Sequence, residues 1–198
     1  LESVAENAIE ALKITPTECG AAVKVIGGIG EKRLTLSESG QSYYFEDEVI
    51  ITLDEVEYWT PENPHLYYFT VECVESYFAV RTVDVREIDG VNRLCLNGRP
   101  YVFNGLLDQG YYSDGIYTPA TFDAYIDDIR LAKSMGFNTL RKHIKIEPMI
   151  FYHLCDTLGI VVFQDMVNNG SYSFLRDTAL PTVITKKVPL TPMIRSKR

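Results

Sequence analysis

Three short clusters of polar residues stand where apolar segments of the chain end, and their side chains are of types that bind polar ligands or transfer protons. The clusters are Asp108-Gln109, Arg141-Lys142-His143 and Gln164-Asp165. If the apolar segments are parallel strands, the clusters meet at the carboxyl-terminal edge of one sheet, where the active sites of parallel α/β folds lie. A helix cap or a turn is the alternative role for each cluster taken alone. The three together favour a functional site.

The second half of the chain carries the strand and helix patterns that would position these clusters. Apolar strand patterns alternate with helical patterns in which apolar residues recur every three or four positions. The strand patterns are Tyr101–Leu107, Asn138–His143 and Ile160–Phe163; the helices begin at Thr118-Pro119 and Glu147-Pro148 and end at Gly136 and Gly159. This alternation predicts a parallel sheet with helical crossovers.

The first half has a different periodicity. From Ile14 to about Val85 it consists of short, alternating strand patterns separated by turn residues, which predicts an all-β sandwich of immunoglobulin type. The segment Glu72–Ser76 departs from this pattern because it joins two predicted strands without Gly, Asn or Pro. An antiparallel return needs a turn, so this segment raises the alternative that residues are missing there.

Composition limits the classes of partner. The 27 acidic and 19 basic residues give a net charge of −8, which argues against nucleic acid and anionic membranes as partners. No apolar run is long enough to cross a bilayer. The four cysteines lack the close pairs of a zinc site, so we expect free thiols and neither a metal nor a cofactor. The sequence indicates no cellular compartment.

Several ordered segments resemble glycoside hydrolase family 2. The end of that family's immunoglobulin-like domain is similar to Trp59–Tyr67, Ser76–Phe78 and Arg81–Val83. The opening of its catalytic barrel is similar to Leu96–Tyr101, Leu107–Tyr112, Gly136–Asn138, Leu140–Pro148 and Gln164–Met166. The family includes β-galactosidases, β-glucuronidases and β-mannosidases, so the resemblance implies a glycosidase of carbohydrate metabolism that hydrolyses β-linked glycosides.

The resemblance also implies a domain organisation. Family members have a jelly roll, an immunoglobulin-like β-sandwich and a (β/α)₈ TIM barrel. Residues 1–13 are expected to end the jelly roll and form a linker, 14–86 to form the sandwich, and 87–198 to begin the barrel with about three strand-helix units. A complete barrel needs about 250 residues, so we expect a fragment. Its exposed half-barrel surface is expected to cause homo-oligomerisation or poor solubility.

The family's retaining mechanism uses an acid/base and a nucleophile, both carboxylates. In relatives these groups belong to the fourth and seventh barrel strands, and no segment here matches either motif. The resemblance therefore assigns no catalytic residue to this chain and implies that the fragment alone is inactive. The alternative function is a non-catalytic carbohydrate-binding or interaction module.

Four residues remain as candidate substrate-binding groups: Asp108, Arg141, His143 and Asp165. Period-two alternation puts Arg141 and His143 on the barrel-facing side of their strand and Lys142 on the helix-facing side. By resemblance, Arg141 matches an arginine that orients a catalytic carboxylate, whereas His143 lies one residue before the family's histidine. The alternative role is a turn former for Asp108 and a partner of Arg141 for Asp165.

Overall fold

Alternating apolar residues build the first half of the chain into two antiparallel sheets. The structure, a computed structural model, describes residues 7–167. One sheet has the strand order β1-β2-β5, and the other has the order β4-β3-β6-β7. The strands are β1 (Ile9–Thr17), β2 (Gly20–Gly27), β3 (Lys32–Leu36), β4 (Ser42–Phe45), β5 (Glu48–Thr52), β6 (Tyr67–Val71) and β7 (Val74–Phe78).

Buried side chains from both sheets form one apolar cluster, so the sheets pack face to face as a sandwich. Along β2, for example, Val23 and Val25 are buried whereas Lys24 between them is exposed. The cluster contains Ala21, Val23, Val25, Leu34, Leu36, Phe45, Ile51, Tyr67, Phe69, Val71, Phe78 and Val80. Strand β1 begins at Ile9, before the domain boundary predicted at residue 14, whereas residues 1–6 lie outside the described part.

The turn between β6 and β7 consists of only two residues, Glu72 and Cys73, because Val71 pairs with Val74. Glu72 adopts a left-handed backbone conformation with φ of +53°. Its carboxylate accepts a hydrogen bond from the N–H of Arg33 at 2.6 Å, and its own N–H donates to the carbonyl of Arg33 at 3.0 Å. The segment therefore forms the required turn without Gly, Asn or Pro and without additional residues, since Glu72 takes the conformation that Gly or Asn usually supplies.

A third antiparallel sheet follows the sandwich, and its strand order is β10-β9-β8. Its strands are β8 (Val83–Ile88), β9 (Val91–Leu96) and β10 (Arg99–Pro100). Asp89 and Gly90 both have positive φ, +53° and +73°, as a type I′ hairpin turn requires. Antiparallel pairing thus continues beyond Val85, the residue at which the alternating strand pattern of the first half was expected to end.

The remaining elements form a three-stranded parallel sheet in the order β11-β12-β13. They are β11 (Gly105–Asp108), α1 (Asp123–Ser134), β12 (Thr139–Lys142), α2 (Met149–Leu158) and β13 (Val161–Gln164). The predicted order of three strands and two helices is confirmed. The first strand is shorter than predicted, and α1 begins five residues after Thr118.

The two helices cover one face of this sheet with a second apolar cluster. Its buried members are Tyr125, Ile129, Ala132, Leu140, Phe151, Cys155 and Ile160. A smaller cluster of Trp59, Leu66 and Ala79, with Val161 against it, joins the sandwich to the parallel sheet. The described residues up to Met166 accordingly form one compact unit. Neither α1 nor α2 has the length and apolar character that crossing a membrane requires.

Candidate functional site

The three predicted polar clusters meet at the carboxyl-terminal edge of the parallel sheet. Asp108, Lys142 and Gln164 are register partners across the ends of β11, β12 and β13. The three strands therefore end level with one another, and the residues that follow them emerge side by side.

The alternation predicted for β12 is confirmed. Leu140 packs in the apolar cluster beneath the helices, and Lys142 is fully buried with its ammonium 4.6 Å from the centre of the Phe151 ring in α2. The intervening Arg141 has a side chain that is 58% exposed. Arg141 therefore lies on the sheet face opposite the helices.

Arg141 forms a two-pronged ion pair with Asp165. Its Nη2 donates to Oδ2 at 3.0 Å, and its Nε lies 3.2 and 3.3 Å from the two carboxylate oxygens. A fork of this kind fixes the plane of the guanidinium. The alternative role for Asp165, a partner of Arg141, is thus the contact observed.

His143 lies beside Gln109 at the same edge. The Gln109 Nε2 is 3.2 Å from His143 Nδ1, and the His143 N–H donates to the Asp108 carbonyl at 2.8 Å. The His143 side chain is only partly exposed. The ends of β11 and β12 are therefore joined by both a backbone contact and a side-chain contact.

The carboxylate of Asp108 is directed to the other side of the sheet. Its Oδ2 accepts from Lys142 Nζ at 2.8 Å, and its Oδ1 accepts from the Gly110 N–H at 2.8 Å. The second contact is an Asx turn, which is the alternative role that the sequence left open for this residue. Substrate binding by Asp108, Arg141, His143 and Asp165 stays a prediction.

A buried ion cluster lies behind the edge, and sequence reasoning missed it. Glu147 Oε1 is 2.6 Å from Lys142 Nζ and 2.8 Å from Lys145 Nζ, and the Glu147 side chain is fully buried. With Asp108, two ammonium groups face two carboxylates, so the charges balance. We call Asp108, Lys142, Lys145 and Glu147 the ion cluster.

The hydroxyl of Tyr125 in α1 completes this cluster by donating to Glu147 Oε2 at 3.1 Å. Burial and the adjacent Glu147 charge raise the pKa of Tyr125, so its hydroxyl keeps its proton. Only one signal in the sequence pointed to the cluster. The alternation of β12 put Lys142 against apolar helices, and a buried lysine needs a carboxylate.

The loop from β12 to α2 is tied to β13 through Tyr152 and Gln164. The Tyr152 hydroxyl accepts from the Glu147 N–H at 3.2 Å and donates to Gln164 Oε1 at 2.6 Å. Gln164 Nε2 in turn donates to the Lys145 carbonyl at 2.9 Å. The loop contains Ile144 with φ of +49°, a strained conformation for a β-branched residue.

Asp108 and Glu147 are near one another, since both contact Lys142 Nζ at 2.8 and 2.6 Å. They do not form a pair suited to attack on a glycoside. The ammonium lies between them, and Glu147 is only 4% exposed. Within residues 7–167, no group of three or more His, Cys, Asp or Glu side chains is arranged to hold a metal ion.

No family model matches the chain. Among curated proteins, it is 34% identical over 116 residues to a β-galactosidase of Pseudoalteromonas haloplanktis, which covers 54% of this chain and 11% of that protein. It is 27% identical over 151 residues to a β-galactosidase of Alteromonas mediterranea, covering 72% and 14%. The chain thus spans between 11% and 14% of the length of these relatives.

Solved structures give a consistent result. A β-glucuronidase of Faecalibacterium prausnitzii superposes with a TM-score of 0.68 and 26% identity over 80% of this chain and 28% of that one. The GH2 β-galacturonidase of Eisenbergiella tayi bound to galacturonate gives a TM-score of 0.65 at 20% identity, over 82% and 33%. The fold is therefore that of a glycosidase-like chain. More narrowly, the chain is similar to a segment of glycoside hydrolase family 2, which confirms the resemblance found in its sequence.

Proposed function

We propose that this chain supplies the middle domain and the first barrel strands of a retaining glycosidase that hydrolyses β-linked glycosides. In this proposal, residues 14–86 are the immunoglobulin-like sandwich and residues 87–198 begin a TIM barrel. Residues 1–13 then end a preceding jelly roll. The part of the third region beyond residue 167 lies outside the described residues.

The observation that carries the proposal is the Arg141–Asp165 fork at the carboxyl-terminal edge of the parallel sheet. TIM-barrel enzymes build their active sites at this edge. The Arg141 side chain is 58% exposed, so its remaining N–H groups can reach a carboxylate or a hydroxyl group. We propose that Arg141 orients an acidic group of the catalytic machinery and that Asp165 fixes the Arg141 plane.

His143 and Gln109 are proposed to contact sugar hydroxyl groups on the same side of the edge. Both carry donors and acceptors that match a hydroxyl. Asp108 is proposed to have an indirect role at this edge and not to contact the sugar itself. Both of its carboxylate oxygens already accept hydrogen bonds, one from Lys142 and one from Gly110.

The chain by itself is proposed to be inactive. Retaining hydrolysis needs two carboxylates about 5 Å apart on either side of the anomeric carbon. Asp108 and Glu147 are not suited to this role, because both pair with the Lys142 ammonium, at 2.8 and 2.6 Å, and the Glu147 side chain is buried.

The first test is an assay of the purified 198-residue chain with nitrophenyl β-galactoside, β-glucuronide and β-mannoside. We expect no nitrophenol above the blank, and turnover by the chain would overturn the assignment of its carboxylates. Titration calorimetry with the free sugars is run in parallel. Saturable binding without turnover would favour the carbohydrate-binding module instead.

The second test uses the longest open reading frame that contains this segment. We expect the encoded protein to hydrolyse at least one of these β-glycosides with retention of configuration, detected by NMR of the first anomer released. Arg141→Ala should lower its kcat/KM on the order of 100-fold, and Arg141→Lys should restore little because lysine lacks the fork. Arg130→Ala, an exposed arginine of α1, is the matched control. Absence of glycosidase activity in the longer protein would overturn the proposal.

A further inference from the structure

We infer, on the basis of the proposed function, that Glu147 is a positioning residue that fixes the substrate-facing loop after β11 through Lys142 and Lys145. This loop, residues 109–117, is called the first loop. It carries Gln109, which contacts His143 at 3.2 Å. The ion cluster is buried beneath the sheet edge, and in this inference it sets the position of residues on the substrate-facing side.

One ammonium group holds both ends of the first loop. Lys145 Nζ donates to the carbonyl of Gly110 at 2.6 Å and also to the carbonyl of Tyr117. The same ammonium is held by Glu147 Oε1 at 2.8 Å. Without the Glu147 charge, Lys145 would lose the group that keeps it oriented toward these two carbonyls.

The backbone of the first loop rests directly on the ion cluster at Gly110. Its φ is +62°, and a Cβ atom there would lie 2.2 Å from Glu147 Oε1 and 2.6 Å from Lys142 Nζ. Only a residue without a side chain allows this approach. The position of Gly110 is thus defined by the position of the Glu147 carboxylate.

The first loop is closed on itself and strained. Tyr112 and Ile116 exchange two backbone hydrogen bonds at 3.0 and 2.8 Å, and Ile116 has φ of +63°. A β-branched residue in this conformation is an outlier that persists only where surrounding contacts impose it. The two Lys145 contacts at Gly110 and Tyr117 flank the closed segment and supply that constraint.

The Arg141–Asp165 fork lies on the opposite face of the sheet from the Lys142 side chain, and among the described residues no side chain of the fork hydrogen-bonds to a side chain of the ion cluster. The two groups are linked through the strand backbone, where the Asp165 N–H donates to the Lys142 carbonyl at 3.1 Å. A change at Glu147 should therefore act on Gln109 and His143 and leave the fork in place. This separation distinguishes a positioning role from general support of the sheet.

The structural test is amide hydrogen exchange in the 198-residue chain. Glu147→Gln should accelerate exchange at Tyr112, Ile116 and His143 by at least about tenfold, while Val23 in the sandwich core is unchanged. Glu31→Gln, at an exposed glutamate, is the matched control and should change none of these amides. Glu147→Asp keeps the charge on a shorter side chain and should give an intermediate effect.

Two outcomes would overturn the inference. One is a folded Glu147→Gln chain whose first-loop amides exchange as in the wild type. The other is loss of Val23 protection in both Glu147 variants, because Glu147 would then support the whole fold and not the first loop.

The functional test is a double-mutant cycle in the longer protein. Gln109→Ala and Glu147→Gln should each raise KM for the cleaved glycoside, and the double variant should lose little more than either single one. Arg141→Ala combined with Glu147→Gln should be additive. Additivity of the Gln109 and Glu147 changes would contradict the inference. If the longer protein lacks glycosidase activity, the proposed function fails, whereas the exchange measurement still decides whether Glu147 fixes the first loop.

Discussion

The indole N–H of Trp59 donates a 2.8 Å hydrogen bond to the backbone carbonyl of Asp156, a residue 97 positions later in the chain. This bond joins the sandwich to helix α2. The Asp156 carboxylate adds a 2.8 Å ion pair with Arg81 and a 3.0 Å hydrogen bond from the Tyr77 hydroxyl. Arg81 also lies over the Trp59 ring at 4.5 Å. Asp156 is thus the centre of the contact between the two parts.

The first prediction concerns Trp59, which is the only tryptophan of the chain and is 1% exposed. Trp59→Phe removes the donor to Asp156 and leaves a smaller ring, so we expect a loss of about 1–3 kcal/mol in the free energy of unfolding. Urea denaturation followed by circular dichroism measures it. Tyr58→Phe, at an exposed neighbouring aromatic residue, should change the value by less than about 0.5 kcal/mol. Equal stabilities of the two variants would show that Trp59 does not anchor the interface.

The second prediction uses two glycines with similar backbone conformations. Gly110 and Gly90 have φ of +62° and +73°, so an alanine at either position costs about 1–2 kcal/mol for the left-handed conformation. Only at Gly110 would the added Cβ meet the ion cluster, 2.2 Å from Glu147 Oε1; at Gly90 it meets nothing within 4 Å. Gly110→Ala should therefore destabilise the chain more than Gly90→Ala, as measured by urea denaturation. A smaller or equal loss at Gly110 would contradict the packing of the first loop on the ion cluster.

A structural feature could be predicted from the sequence where it depends on residues that are close together in the chain. The ends of α2 and the order of the parallel strands followed from Gly159 and from periodicity, and the C-cap Gly159 has the expected positive φ of +76°. The turn at Glu72 could not be predicted from the sequence, because its left-handed conformation depends on hydrogen bonds with Arg33, 39 positions away.

In the candidate site, too, the features set by neighbouring residues could be predicted and those set by distant residues could not. Alternation along β12 correctly separated Arg141 from Lys142, because the faces of a strand are a local property. The direction of the Asp108 carboxylate could not be predicted in this way. It is set by Lys142, which lies 34 positions later and meets Asp108 only when the strands pair in parallel. Glu147 looked like an ordinary residue at a helix start for the same reason.

The third prediction separates stability from function at Arg141. Its side chain is 58% exposed and its partner Asp165 is 27% exposed, so solvent screens the ion pair. We expect Arg141→Ala to lower the free energy of unfolding of the chain by no more than about 1 kcal/mol. Thermal and urea denaturation at low and high salt measure this change. A larger loss would mean that Arg141 supports the sheet, and its effect on catalysis could then be explained by misfolding.

The fourth prediction concerns the four cysteines, of which Cys19 and Cys73 are exposed and Cys95 and Cys155 are buried. The thiolate is the form that reacts with iodoacetamide. Burial raises the pKa of Cys155, so its thiol stays protonated as the pH rises from 7 to 9. Its location on the buried face of α2, within the apolar cluster, blocks the reagent. Labelling of the folded chain should modify the exposed Cys19 and Cys73 and leave the buried Cys95 and Cys155 unmodified at both pH values. Mass spectrometry of tryptic peptides identifies the labelled positions, and unfolding in guanidinium should expose all four. Modification of Cys155 in the folded chain at pH 7 would contradict the packing of α2 against the parallel sheet.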